Sequence, residues 1–189
     1  MHPSVINWIR EKISQNHLSG DVLEVGSMDV NGSVRSLFTD AARYVGVDFR
    51  EGNGVDIVMN GHSLKFKDQE FSVVVSTEMI EHDEAFWLSI KEMGRVLKPG
   101  GHLLITSRGN GFGQHGYPDD YWRFMPSSFP SLIRLAGCEV IESMEDPEPG
   151  HPGLFAIGRK PDTEVANGNS PSIPDNAEPG DGCGIKIQP

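Results

Sequence analysis

Three groups of residues in this 189-residue chain have the types and spacing to do chemistry. The first is Glu78-Met79-Ile80-Glu81-His82, two carboxylates and an imidazole within five positions. Such a set can move a proton or hold a hard or borderline cation, with His115 as the natural further ligand. The second is Gln114-His115-Gly116-Tyr117-Pro118-Asp119-Asp120-Tyr121-Trp122-Arg123-Phe124, dense in aromatic and polar groups. Here His115 is a candidate general base near neutral pH. Tyr117, Tyr121 and Trp122 offer faces for a planar or sugar-like molecule, and Arg123 could clamp an anionic group. The plainer alternative is a lid whose aromatics pack over a sheet edge, with Arg123 paired to Asp119 or Asp120. The third group is a glycine and an acid. The run Val22-Leu23-Glu24-Val25 breaks at Gly26, and Val45-Gly46-Val47 ends at Asp48 about twenty residues later. A glycine lets backbone approach a nucleotide-like ligand, and an acid at the tip of the next strand can take two ribose hydroxyls.

The glycine spacing separates the candidate ligands. A dinucleotide site wants Gly-x-Gly-x-x-Gly, so that a pyrophosphate rests on a helix N-terminus. Counting from Gly26, the required glycines fall on Met28 and Asn31. A nicotinamide oxidoreductase is therefore disfavoured. Glu24 and Asp29 place negative charge around the turn, which suits a cation. S-adenosylmethionine has a sulfonium, an ammonium and a ribose, and no phosphate.

The elements that must position these groups follow from apolar spacing. Val5, Ile9 and Ile13 predict a helix over residues 3–16, with Pro3 in its first turn. Strands are expected at 21–25, 43–47, 55–58, 71–75 and 102–106, the fourth apolar throughout as in a parallel strand buried on both faces. Val34, Leu37, Phe38 and Ala41 suggest a helix face after the first strand. Phe86, Ile90, Met93 and Leu97 suggest another, with Asp83 as N-cap and Lys98-Pro99-Gly100-Gly101 as its stop. Phe129, Leu132, Ile133 and Ala136 mark a last helix, ended by Gly137. Residues 138–144 and 154–158 read as a closing antiparallel pair. Gly109, Gly111 and Gly113 suggest a hinge that would let the aromatic segment close. The alternation predicts an α/β fold: a seven-stranded, mostly parallel sheet with helices on both faces and a terminal antiparallel strand pair. Gly26, Asp48, Asn60, Ser76 and Ser107 then fall at the carboxyl ends of strands, where such sheets bind ligands.

Composition narrows the class. A first domain over residues 1–160 is long enough for a substantial core. From 161 to 189 the chain has five of its thirteen prolines and no aromatic residue, and reads as a disordered acidic tail. No run of 18 apolar residues suggests a membrane span. Two cysteines, Cys138 and Cys183, without metal spacing suggest a reducing, cytoplasmic setting. A net charge of −11 disfavours a binder of phosphate backbones, so no nucleic-acid partner is expected. The oligomeric state is not legible.

Four segments together resemble the class I S-adenosylmethionine-dependent methyltransferases of the ubiquinone/menaquinone-biosynthesis type, whose fold is Rossmann-like. They are Val22-Leu23-Glu24-Val25-Gly26-Ser27, Tyr44-Val45-Gly46-Val47-Asp48, the stretch from Phe71 to His82, and the stretch from Glu92 to Ile105 with its Pro99-Gly100-Gly101 turn. The resemblance covers roughly residues 20–160. It implies S-adenosylmethionine as cofactor, with Glu24 and Gly26 at its methionine and sulfonium end and Asp48 on the ribose. Asn60 would face the adenine, where the family often has Asp, and Ser27, Gly61 and Ser76 would stand nearby. Met28 departs from the common Gly-x-Gly, so its backbone should keep negative φ. The loop from Glu78 to His82 is similar to one that supplies Glu, Glu and His to a divalent metal in small-RNA 3′-terminal 2′-O-methyltransferases and ubiquinone-pathway O-methyltransferases. The metal set would be Glu78, Glu81, His82 and His115. The same loop occurs where no metal binds, its acids capping a helix, and that reading is the one expected here.

The expected function is transfer of a methyl group to an oxygen of a small molecule or glycan, with His115, Glu81 and His82 as catalytic candidates. Tyr117, Tyr121, Trp122 and Arg123 would meet the acceptor. The alternatives are a metal-assisted RNA 2′-O-methyltransferase and a non-catalytic S-adenosylmethionine-binding module.

Overall fold

A computed structural model describes residues 1–116 and 119–162. The expected tail, as well as Tyr117 and Pro118, falls outside the described residues. Phe71–Thr77 (β4) is the central strand, buried along nearly its whole length with Phe71 and Val73 to Val75 as its apolar part. It lies between Gly20–Val25 (β1) and Leu97–Arg108 (β5), parallel to both. Ala41–Asp48 (β2) and the short Ile57–Val58 (β3) extend the parallel part beyond β1. Glu139–Glu145 (β6) and Gly153–Arg159 (β7) close the other edge, with β7 antiparallel to both β5 and β6. The seven strands lie in the order β3-β2-β1-β4-β5-β7-β6. The expected sheet and its terminal antiparallel pair are present.

Two apolar layers cover the sheet. On one face Pro3–Asn16 (α1) buries Val5, Trp8 and Ile9 against Val22, Val73, Leu104 and Phe155. On the other, Phe86–Val96 (α2) and Ser128–Leu135 (α3) bury Ile90, Met93, Phe129 and Ile133 against Leu23, Val74, Leu103 and Ile105. Both layers come from strand residues that alternate in direction along the pleat.

Three local expectations differ. Val34, Leu37, Phe38 and Ala41 do not form a helix face. Only Arg35–Leu37 makes a short 3₁₀ turn, and Ala41 opens β2. The preceding Asp29 and Ser33 side chains accept the Gly32 and Arg35 N–H groups at 2.7 and 3.1 Å, which favours turns over helix. Val34 and Phe38 are buried all the same, because α1 packs over them. Asp83 is not the N-cap of α2. The cap is Ala85, and Asp83 accepts the Ala85 N–H at 2.9 Å and bonds His62 Nε2 and Ser89 Oγ, each at 2.6 Å. Lys98-Pro99-Gly100-Gly101 lies within β5, not before it, and is held there by Gly100 N–H to Lys160 and Lys160 N–H to Gly101, both 2.9 Å.

Candidate active site

At the carboxyl ends of the parallel strands lies one cavity of about 650 Å³. Among the described residues it takes Glu24, Gly26 and Ser27 from the end of β1, Asp48 from β2, and Asn60 and Gly61 from the segment after β3. Glu78 and His82 follow β4 into it, and His115 and Tyr121 line it from the segment after β5. Ser76, expected here, does not line it. Ser76 is buried beneath the sheet surface, and it is Thr77 that reaches the wall.

The glycine turn is held on both sides. Gly26 has φ +82°, and a Cβ there would lie 2.4 Å from Met79 Cγ, so glycine is required by conformation and by close approach. Met28 keeps negative φ as expected, since it is absent from the positive-φ residues. Glu24 is buried and accepts the Tyr44 hydroxyl at 2.8 Å. Burial pushes its carboxyl up from 4.5 to about 7, against the hydrogen bond from Tyr44 and the charge of Arg35. Ser27 Oγ is buried against Gly46 and finds no hydrogen-bond partner among the described residues. Asp48 is raised by burial, opposed by the N–H groups of Arg50 and Met28 at 3.2 and 3.4 Å. Asn60 Oδ1 accepts the His62 N–H at 2.8 Å. A Cβ on Gly61 would sit 2.7 Å from Ser89 Oγ, so the chain passes close to α2 here.

The other end of the cavity is polar and preorganised. Glu78 adopts φ +55°, a strained conformation for a residue with a side chain. It is fixed by the Thr106 hydroxyl at 2.8 Å and by an ion pair with the buried Arg108 guanidinium. Glu81 is fully buried. One carboxyl oxygen accepts the Ser107 hydroxyl at 2.6 Å and the other has no partner among the described residues. Burial and the neighbouring Glu78 charge raise its pKa. The Glu81 backbone oxygen accepts the N–H groups of Tyr121 and Trp122, which ties the second cluster to the first. His82 and His115 pack edge to face with ring centres 4.8 Å apart. Ligand atoms of Glu81, His82 and His115 all lie within 4.8 Å of one another, and Glu78 is not part of that set.

Two acceptor-side expectations are corrected. Arg123 is not free to clamp an anion. It pairs with both Asp120 oxygens and donates to the carbonyls of Phe112 and Gly113 at 3.0 and 2.8 Å, away from the cavity wall. Trp122 does not line the cavity either. Its Nε1 donates to the Asp83 carbonyl at 2.9 Å, and its ring packs on Phe86 and Trp87. The segment with Gly109 and Gly111 is tied down at its start by bonds from Gly109 to Pro152, Asn110 to Phe124 and Phe124 to Arg108. Sequence reasoning missed Arg108, whose signal was a charge ending an apolar strand. It also missed His62, held by Asp83 at the cavity edge.

The fold is a doubly wound α/β sheet with a ligand-sized cavity at the carboxyl ends of its parallel strands. Residues 14–105 match the family model of a methyltransferase domain. A mouse protein named probable tRNA methyltransferase 9B is 37% identical over 84 residues, 41% of this chain and 18% of that one. The Shewanella sediminis ubiquinone/menaquinone biosynthesis C-methyltransferase UbiE is 32% identical over 90 residues, 48% of this chain and 35% of that one. The matches thus span about a third or less of the length of these curated relatives. Among solved structures, the Burkholderia thailandensis 1,6-didemethyltoxoflavin-N1-methyltransferase, with bound 1,6-didemethyltoxoflavin and S-adenosylhomocysteine, superposes with a TM-score of 0.68 at 18% identity. That match covers 85% of this chain and 79% of the other. Together these matches support a class I S-adenosylmethionine-dependent methyltransferase domain, the family model spanning residues 14–105 and the fold likeness most of the chain. Among the described residues no helix is long and apolar enough to cross a membrane.

Proposed function

We propose that this protein transfers a methyl group from S-adenosylmethionine to a hydroxyl oxygen of a small molecule or glycan. The observation that carries the reading is the continuity of one cavity from Gly26, Asp48 and Asn60 to His82, His115 and Tyr121. The residues present fit the cofactor. Acids line the end that would meet its cationic groups, and no cluster of basic side chains stands ready for a pyrophosphate among the described lining residues. When bound, the cofactor supplies an electrophilic methyl group on positively charged sulfur. Asp48 accepts the ribose hydroxyls, and Glu24 and the Gly26 backbone face the methionine end. Tyr121 and the His82–His115 pair orient the acceptor, and an imidazole of that pair removes its proton. Glu78, Asp83, Glu84 and Asp119 give the cavity carboxylates that favour neutral or cationic acceptors over phosphate-rich ones. Calorimetry with S-adenosylmethionine tests the reading. Binding at micromolar concentration is expected, and none at millimolar ligand with the fold intact would overturn it.

Glu24 makes that affinity depend on pH. Its folded carboxyl titrates at about 7 against an ordinary 4.5. Below pH 7 the free protein holds it neutral, and a cationic ligand favours its ionised form. Affinity therefore climbs with pH towards about 7, by at most tenfold per unit, and then levels off. Stability of the free protein runs oppositely and falls from pH 4.5 towards 7, since the unfolded chain ionises this acid first. Calorimetry across pH 5.5–8.5 is expected to show the rise together with proton release at the acid end. A flat affinity would place Glu24 away from the ligand's charge.

A second reading is metal-assisted methylation of an RNA 2′-hydroxyl. The convergence of Glu81, His82 and His115 favours it, and the chain's net charge of −11 opposes it. Under the first reading, turnover persists in excess EDTA. Abolition by EDTA and rescue by a divalent cation would establish the second.

A further inference from the structure

The two carboxyl oxygens of Glu24 stand in different settings. Glu24 pairs with Gly46 across β1 and β2, and Tyr44 is two residues before Gly46, so the Glu24 and Tyr44 side chains share one face of the sheet. Oε2 of Glu24 accepts the Tyr44 hydroxyl at 2.8 Å. Oε1 keeps no partner among the described residues, where Glu24 lines the cavity wall.

Tyr44 is itself held in place. The guanidinium carbon of Arg35 lies 4.7 Å from the centre of its ring, and Phe38 packs on the same ring with centres 5.6 Å apart. Nη2 of Arg35 donates to the Gly54 carbonyl at 3.0 Å and pairs with Asp56. Asp56 in turn accepts the Gly46 N–H at 2.7 Å. Gly46 makes room for this arrangement. A Cβ there would stand 2.8 Å from Arg35 Nη2 and 2.5 Å from the Gly54 carbonyl oxygen. The 3₁₀ turn Arg35–Leu37 thus delivers a cation to β2 where the sequence suggested a helix. The titratable groups that face Glu24 are Tyr44 from β2, Arg35 and Asp29 from the segment between β1 and β2, and Asp56 just before β3. Burial raises its carboxyl most, the Tyr44 hydrogen bond and the Arg35 charge oppose that, and Asp29 and Asp56 add to it.

We propose that Tyr44, steadied by Arg35 and Asp56, is the positioning residue of the donor site: it pins one oxygen of Glu24 and leaves the other to the cavity for the cationic end of S-adenosylmethionine. The inference rests on the methyl-transfer reading above. Neither Tyr44 nor Arg35 lines the cavity, so both act through Glu24. The hydroxyl donates to the ionised form of the acid and so favours it. The guanidinium holds the ring that carries this hydroxyl and adds a positive charge on the same side. An acid buried without these two groups would stay neutral further up the pH scale and attract a cation less.

The test follows the Glu24 carboxyl by NMR from pH 5 to 9 in the full chain with ¹³C-labelled glutamate, the signal being assigned with Glu24→Gln. The wild-type midpoint is expected at about 7. Tyr44→Phe keeps the ring and loses the hydroxyl, and its midpoint is expected about one pH unit higher. Arg35→Gln is expected to raise the midpoint by a smaller step, and it decides if Tyr44→Phe does not fold. Calorimetry with S-adenosylmethionine reads the consequence for the ligand. The ratio of wild-type to Tyr44→Phe affinity is expected to grow from below about twofold at pH 8.5 to about fivefold at pH 7 and up to about tenfold at pH 6, as the ionised share of Glu24 falls first in the variant. A midpoint no higher than that of the wild type, in Tyr44→Phe or in its stand-in, overturns the inference. So does an affinity ratio that stays constant over this range, which is the mark of structural damage alone. Failure of the methyltransferase reading registers separately, as no heat with the wild type while the Glu24 midpoint still moves in Tyr44→Phe.

Discussion

Asp48→Ala is expected to weaken S-adenosylmethionine binding by about a hundredfold in calorimetry. Asp48 ends β2 at the cavity rim, half-buried, with one oxygen towards Arg50 N–H and the other towards Met28 N–H. Both bonds are long, at 3.2 and 3.4 Å, so the carboxylate has acceptor capacity to spare. Two ribose hydroxyls donating to it contribute about 3 kcal/mol together, at the low end for hydrogen bonds to a charged group, which is about a hundredfold in affinity. The fold should tolerate the change. Burial already raises this carboxyl, and its removal relieves part of that cost. Asp48→Asn keeps one acceptor oxygen and is expected to lose roughly tenfold. An affinity within threefold of wild type in Asp48→Ala would mean that the ribose is held elsewhere.

The largest loss of stability is expected from Gly94→Ala, a substitution that ordinary helix propensity would favour by about 1 kcal/mol. Gly94 is on α2 where it crosses the end of α3. A Cβ there would stand 2.0 Å from the Ala136 carbonyl oxygen and 2.7 Å from its carbon. Both are backbone atoms, so no rotamer change relieves the overlap. The two helices must separate, and Met93 and Ile133 lose packing with them. The expected cost is at least about 3 kcal/mol, the upper range for overpacking, or a fall in Tm of about 6–12 °C for a chain of this size. Gly137→Ala is the control. It also adds a methyl group, at φ +74° but with nothing within 4 Å, and should cost only about 1 kcal/mol. Equal effects of the two substitutions would show that close approach at Gly94 does not limit the packing.

Gly94 was not legible in the sequence, because a glycine inside a helix looks the same whether it is tolerated or required. The sheet was legible for the opposite reason. Strands buried on both faces show as apolar runs such as Val73 to Val75, and Gly26, Asp48 and the Pro99-Gly100-Gly101 segment punctuate them in a spacing that few folds share. The residues from 28 to 40 misled because Val34 and Phe38 are buried at helical spacing, but by α1 from outside and not by a helix of their own. Periodicity reports burial, and burial has more than one source.

The sequence by itself determined the strand order's raw material, the acid and glycine at the donor end, and the presence of Glu81, His82 and His115. Side-chain type and local spacing suffice for those. The tertiary structure alone decided what each group is free to do. It placed Arg123 against Asp120 and not against a ligand, buried Ser76 away from the cavity, and tied Trp122 to Asp83. It also put a carbonyl beside one imidazole and a guanidinium beside the other. Partners from distant parts of the chain fix which side chains are free to meet a ligand, and no local pattern of residues encodes that choice.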